Sequence, residues 1–204
     1  MSHAPSSAPK GYSIVPPRHV ANVATFLEMR AKPQVASPVP GHALVLERWR
    51  DADLAIYRAL FKAIGENWLW YSRLVMPDHE LSRILREPRI EIYRLLDNGT
   101  IAGLLELDFS AQDECELSFF GLLPEAIGKG AGRFLMNEAI RLAWIKPIKR
   151  FWVHTCTFDH PAALAFYRRS GFTPYQIAVE IHPDPRLTGH MPRHAAPQVP
   201  IIED

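Results

Sequence analysis

The chain has 204 residues, with 23 Lys and Arg against 22 Asp and Glu, a length suited to one domain with a sizeable core. That balance gives no reason to expect nucleic acid or an anionic membrane as partner, and the longest apolar runs are too short to span a bilayer. Two cysteines, Cys115 and Cys156, and no opening signal segment point to a soluble, reducing, cytoplasmic setting, in which Cys156 reads as a buried strand-end thiol before it reads as a nucleophile.

Met1 to Pro17, rich in Ser, Ala and Pro, is expected to be disordered or loosely attached. Val20 to Met29 has the apolar content of a strand, which the prolines between Lys32 and Pro40 break. Ala43 to Arg48 reads as a second strand. Asp51 or Asp53 can cap the helix that follows, on which Leu54, Tyr57, Leu60, Phe61 and Ile64 share one face until Gly65. A shorter helix opens at Pro77-Asp78, gathers Leu81, Ile84 and Leu85, and stops before Pro88. Between these helices lies the densest aromatic cluster, Asn67-Trp68-Leu69-Trp70-Tyr71.

Ile90 to Leu96 and Ile101 to Asp108 read as strands of a hairpin, joined where Asn98-Gly99 supplies the positive φ angles of a tight turn. Cys115 to Leu122 pairs beside them, and alternation puts Glu116 and Ser118 on the face opposite Leu117 and Phe119. Phe151 to Cys156 and Tyr175 to Ile181 are the remaining strands. His190 and His194 lie four apart in the Pro-rich segment Pro183 to Asp204, a poor setting for a metal site.

The organising stretch is Leu122 to Arg133, with Gly128, Gly130 and Gly132 at alternate positions before a helix that buries Leu135, Ala139 and Leu142 with Met136 and Ala143. Such glycines let the backbone approach a ligand, and the N–H groups of loop and first helical turn suit a pyrophosphate. A P-loop would need Lys and then Ser or Thr after its last glycine, and Gly132 is followed by Arg133 and Phe134. A dinucleotide fingerprint would need its glycines directly after the strand and an acidic residue about twenty positions on, whereas the region around Arg150 is basic.

The loop resembles the Arg/Gln-x-x-Gly-x-Gly/Ala motif of the GNAT superfamily of acyl-CoA-dependent N-acyltransferases, with Ile127 in place of Arg or Gln. A second motif of that family, Asn-x-x-Ala-x-x-Leu/Phe-Tyr before Gly-Phe, is matched by His160 to Phe172, with His160 in place of Asn. The resemblance extends from Ile90 to Val179. It implies an α+β fold, a mixed, mostly antiparallel central sheet flanked by helices, in one domain over residues 18–182 with a tail over 183–204. It also implies acetyl-CoA as co-substrate and no metal.

The same resemblance implies the roles of single residues. Ile127, Gly128, Lys129, Gly130, Ala131, Gly132 and Arg133 form the pyrophosphate loop, with Lys129 and Arg133 either adding charge there or standing as solvated cations. Phe120 to Leu122 pair with the pantetheine arm, and the Leu122 N–H is the oxyanion donor. Tyr167 is the general acid for the leaving thiolate. Glu116 is the favoured general base, if its carboxylate is drawn into a cleft and not simply solvated; Glu106, Asp108 and His154 rank below it. Trp68, Trp70 and Tyr71 line the acceptor pocket or else pack in the core, and Glu106, which shares a face with Asp108 by strand period, is with it a candidate for holding a cationic acceptor.

The function so implied is acetyl transfer from acetyl-CoA to a primary amine of a small molecule, by direct attack in a ternary complex. A protein N-terminal or lysine acetyltransferase and a non-catalytic acyl-CoA sensor are the alternatives. The acceptor and the acyl length are not legible in the sequence, and a homodimer is left open.

Overall fold

The computed structural model describes residues 11–34 and 44–204. Residues 1–10 and 35–43, which include most of the Met1 to Pro17 segment and the Ala43 start of the second strand, lie outside the described residues. Among the described residues the strands are β1 (His19–Met29), β2 (Leu44–Arg48), β3 (Ile90–Asp97), β4 (Thr100–Asp108), β5 (Glu114–Leu122), β6 (Arg150–Cys156) and β7 (Thr173–Pro183). The helices are α1 (Leu54–Gly65), α2 (Ser72–Val75), α3 (Asp78–Arg86), α4 (Ala131–Ala143) and α5 (Ala163–Arg169).

Local chemistry accounts for most of these limits. Asp53 caps α1, its Oδ1 accepting from the N–H groups of Ala55 and Ile56 at 2.9 and 3.0 Å. The α1 face buries Tyr57, Leu60, Phe61 and Ile64, and α3 buries Leu81 and Leu85. Asn98 (φ 49°) and Gly99 (φ 80°) make the expected hairpin turn.

The strands form one seven-stranded sheet in the order β2-β3-β4-β5-β6-β1-β7. Only the β5–β6 pair is parallel, so the sheet is mixed and mostly antiparallel, as the family resemblance implied. Leu135, Met136 and Ala139 of α4 pack on one face against Leu105, Leu117 and Phe151, while α1 and α3 cover the other through Phe61 and Leu81 against Ile92 and Leu104. The first strand does not sit at the front of the sheet. It is inserted between β6 and β7, with Ala24 opposite Cys156 on one side and Ala178 on the other.

The Pro-rich C-terminal segment is irregular and tied down. The Arg186 guanidinium is buried, binds the Asp184 carboxylate at 2.7 Å and donates to the carbonyl oxygens of Ala195, Ala196 and Val199. Met191, Ala195 and Ala196 are buried with Val20 of β1, Leu69 and Phe158. The tail therefore backs the aromatic segment before α2.

One expectation is corrected. Glu106 pairs with Phe119 but Leu107 pairs with Leu117, so Ser118 is an extra residue in β5, a bulge. The bulge breaks the alternation: Leu117 joins the core under α4, whereas Phe119 turns to the opposite core and meets Phe61 edge-on at 4.9 Å between ring centroids. Leu117 and Phe119 thus occupy opposite faces, not the shared one that a strict two-residue period gives.

Candidate active site

Only Glu114, Cys115 and Glu116 of β5 pair with β6, opposite Arg150, Phe151 and Trp152. Beyond the bulge the two parallel strands separate into a wedge. Leu123 N donates to Ala102 O at 2.9 Å, so antiparallel alternation points the N–H and C=O of Phe120 and Leu122 away from β4 and into the wedge. Those groups are free to pair with an extended ligand, as a missing strand would.

The wedge opens into a cavity of about 650 Å³ that crosses the sheet. Glu116, Phe120, Leu122, Ile127, Gly132 and Tyr167 line it, and so do Trp68, Trp70 and Tyr71. The glycine loop lies at its mouth. Gly128 (φ 82°) and Gly130 (φ 84°) adopt the left-handed conformation that favours glycine, and Gly130 caps α4. The backbone N–H groups from Gly128 to Arg133 make no hydrogen bond among the described residues, and they open on the positive end of the α4 dipole. That arrangement fits a pyrophosphate. Gly128, Lys129, Gly130, Ala131 and Arg133 do not line the cavity itself. Lys129 is exposed, Ala131 is buried under the loop, and Arg133 donates from Nη1 to Ser170 Oγ at 3.1 Å while lying over the Phe166 ring.

Glu116 sits where the wedge begins. Burial, with the negative charges of Asp108 and Glu106 close by, pushes its carboxyl up to about 7, against the opposing charge of Arg73. His154 Nδ1 stands 3.9 Å from Glu116 Oε1, and both side chains face the cavity. Across the wedge, Tyr167 is 8% exposed and packs edge-on against Phe120 and Phe172. Burial raises its phenol far above the usual range, so it is fully protonated at neutral pH. A carboxyl held well above its usual range and a protonated phenol therefore share one cavity.

A family model of the GNAT acetyltransferases matches residues 48–172. The chain belongs to that family. It is therefore an acyltransferase of a family that uses acetyl-CoA. This GNAT chain shares its fold with an aminoglycoside acetyltransferase from an uncultured soil metagenomic sample, at 19% identity and a TM-score of 0.51, over 63% of this chain and 87% of the other. An IAA acetyltransferase from Bacillus cereus is similar at 19% identity and a TM-score of 0.51, over 66% of this chain and 79% of the other. A conserved protein of unknown function from Staphylococcus epidermidis aligns over 81% of this chain at 13% identity and a TM-score of 0.54; the match spans 63% of that protein's length. No curated protein sequence matches the chain.

Several residues of this GNAT chain have positions that the sequence did not foretell. Glu106 does not reach the cavity: it is fully buried, accepts from the Tyr57 hydroxyl at 2.9 Å and forms an ion pair with Arg73. Its partners consume the charge that a cationic acceptor would need. Asp159, beside His160, accepts from Thr155 Oγ1 and Cys156 N, and its other oxygen accepts from Trp70 Nε1 at 3.1 Å. It couples the end of β6 to the aromatic wall. His160 bridges the loop by accepting from Ala162 N at 3.1 Å. Burial pushes the Cys156 thiol up to about 11, which leaves it un-ionised and a poor nucleophile.

Asn22, Arg73, Glu180 and His182 also line the cavity. They come from β1, α2 and β7, and no motif in the sequence marks them; only the insertion of β1 beside β6 brings Asn22 and Glu180 near the aromatic segment. Among the described residues no cluster of His, Cys, Asp and Glu could hold a metal ion, and no helix is long and apolar enough to cross a membrane.

Proposed function

We propose that the protein acetylates a primary amine of a small molecule by direct transfer from acetyl-CoA, in the cytoplasm. The observation that carries this reading is the joining of Glu116, with its carboxyl near 7, and the protonated Tyr167 to one cavity at the splay of β5 and β6. Bound acetyl-CoA supplies the activated thioester. The loop N–H groups from Gly128 to Arg133 hold its pyrophosphate, and the outward backbone of Phe120 and Leu122 aligns its extended arm.

An alkyl ammonium has a reference pKa near 10.4, so its proton must leave before nitrogen can attack. Glu116 accepts that proton, directly or through one water, its carboxyl being pushed up towards neutrality, where a general base works best. The N–C bond forms as the thioester C–S bond breaks. The Leu122 N–H donates to the oxygen that gains charge, and Tyr167 gives its proton to the departing sulfur. The retention of both proton-transfer groups in one cavity favours an enzyme over a sensor.

The test is continuous measurement of free CoA released from acetyl-CoA in the presence of a panel of amines. Tyr167→Phe lowers kcat by at least about tenfold with acetyl-CoA affinity unchanged. Equal loss of turnover and affinity would make Tyr167 a packing residue.

A further inference from the structure

Asn22 on β1 and Glu180 on β7 are cross-strand partners, and Asn22 Nδ2 donates to Glu180 Oε2 at 2.9 Å. A carboxylate only accepts, so this bond fixes the amide orientation and leaves Asn22 Oδ1 as the open end. That oxygen is buried, Asn22 being 3% exposed, and it has no hydrogen-bond partner among the described residues. An orphaned buried acceptor costs on the order of 1–3 kcal/mol, a cost that a donor group on a ligand removes.

The surroundings select a cationic donor. Asn22 and Glu180 line the far end of the cavity, where Tyr71 stacks on His182 at 4.7 Å and presents an aromatic wall. The His182 ring already uses Nδ1 on the Pro183 carbonyl, at 3.0 Å. Four carboxylates line the cavity, Asp108, Glu116, Asp159 and Glu180, against the two arginines Arg73 and Arg169, and Arg73 is neutralised by buried Glu106. Phe26 of β1 lies opposite His154, which neighbours Glu116, and Asn22 is four residues further along the same strand. At about 3.3 Å per residue the subsite is displaced about 13 Å along the strand and, with Glu116 two strand spacings of about 4.8 Å away across the sheet, lies roughly 16 Å from the base.

We propose that Asn22 and Glu180 form a subsite for a second ammonium group of the acceptor, which is then an elongated polyamine with one terminal nitrogen at Glu116 and another at this far end. The assignment rests on the amine-acetylating reading of the site and adds the class of amine. Asn22 Oδ1 and the Glu180 carboxylate accept from the ammonium, while Tyr71 contributes ring contact.

The test compares spermine with hexylamine as acceptors, using the full chain, acetyl-CoA and release of free CoA. The expected kcat/KM for spermine exceeds that for hexylamine by at least about tenfold, and Glu180→Gln lowers that ratio about tenfold through the KM for spermine. Glu180 is exposed at the cavity edge, so its substitution does not threaten folding. Calorimetric titration of spermine into the protein without acetyl-CoA gives a second readout, with Kd about tenfold weaker in the variant. Equal use of the two amines by the wild type, or a variant with unchanged selectivity and spermine affinity, overturns the subsite while leaving amine acetylation intact. Absence of turnover with every amine, despite bound acetyl-CoA, overturns the parent reading, and the spermine titration still decides whether the far end binds a polycation.

Discussion

On the proposed assignment, the side of the cavity given to the acyl donor is made from residues close together in the chain, β5, the loop into α4, β6 and α5, whereas the side given to the acceptor draws on Asn22, the segment from Trp68 to Arg73 and Glu180. On the first side most of the exposed chemistry belongs to the backbone: N–H groups at Gly128 to Arg133 and the outward edge of Phe120 and Leu122. On the second it belongs to side chains held by each other, Asp159 on Trp70 and Glu180 on Asn22. A backbone site needs only glycines and a strand that stops pairing, so it tolerates much change around it. A side-chain site depends on partners brought from distant parts of the chain.

The largest effect is expected where the two sides meet. Glu116→Gln should lower kcat/KM by at least about a hundredfold at pH 8. In the wild type log kcat/KM should fall with decreasing pH below about 7, as Glu116 gains its proton, and the variant should lack that limb. A profile that keeps the limb would pass the role of base to His154 or Asp108. Because the folded carboxyl is raised, the native state holds the proton more tightly than the unfolded chain between pH 4.5 and about 7. The ionised Glu116 therefore costs stability as pH rises through that window, and Glu116→Gln should stabilise the fold by up to about 3 kcal/mol at pH 8, read from denaturant midpoints. A destabilised variant would contradict this.

Next comes the backbone side alone. A Cβ at Gly130 meets nothing within 4 Å, so Gly130→Glu adds left-handed strain and a carboxylate without a clash. Acetyl-CoA affinity measured by calorimetry should fall about a hundredfold with the circular dichroism unchanged; undiminished binding would remove the loop from the cofactor site. The smallest effect should come from loosening the acceptor wall. A Cβ at Gly65 would lie 2.3 Å from Trp70 Cβ, and Gly65 O also accepts from Trp70 N at 3.0 Å, so Trp70 has no easy retreat. Gly65→Ala should cost about 1–3 kcal/mol of stability and raise the acceptor KM several-fold with acetyl-CoA affinity intact. Parallel loss of acetyl-CoA affinity would show the two sides to be one mechanical unit.

This division also explains what could be read from the sequence. Gly128, Gly130 and Gly132 at the start of an amphipathic helix, and the run from His160 to Phe172, are local patterns, and both sit at the cavity where β5 and β6 part. Asn98-Gly99 and Asp53 act within a few residues of themselves, and the structure has them as turn and cap. Phe119 was misplaced because a single extra residue, Ser118, resets a two-residue period, and no composition signal marks a bulge. Glu106 and Asp108 looked equivalent along β4; Arg73 and Tyr57, remote in sequence, take up the first and leave the second to the cavity. The place of β1 depends on which edge of β6 is free, a fact of the assembled sheet.

That inserted strand also sets the order in which the molecule can assemble. During synthesis β1 emerges before both of its neighbours, since Ala24 must meet Cys156 and Ala178. The hairpin of β3 and β4 closes through contacts between near residues, while β1 has no sheet partner until β6 is available. Its pairing carries a long loop-closure cost, so completion of this half of the sheet is a late and slow event, and the nascent chain spends that interval with an eleven-residue, strand-forming segment exposed to aggregation.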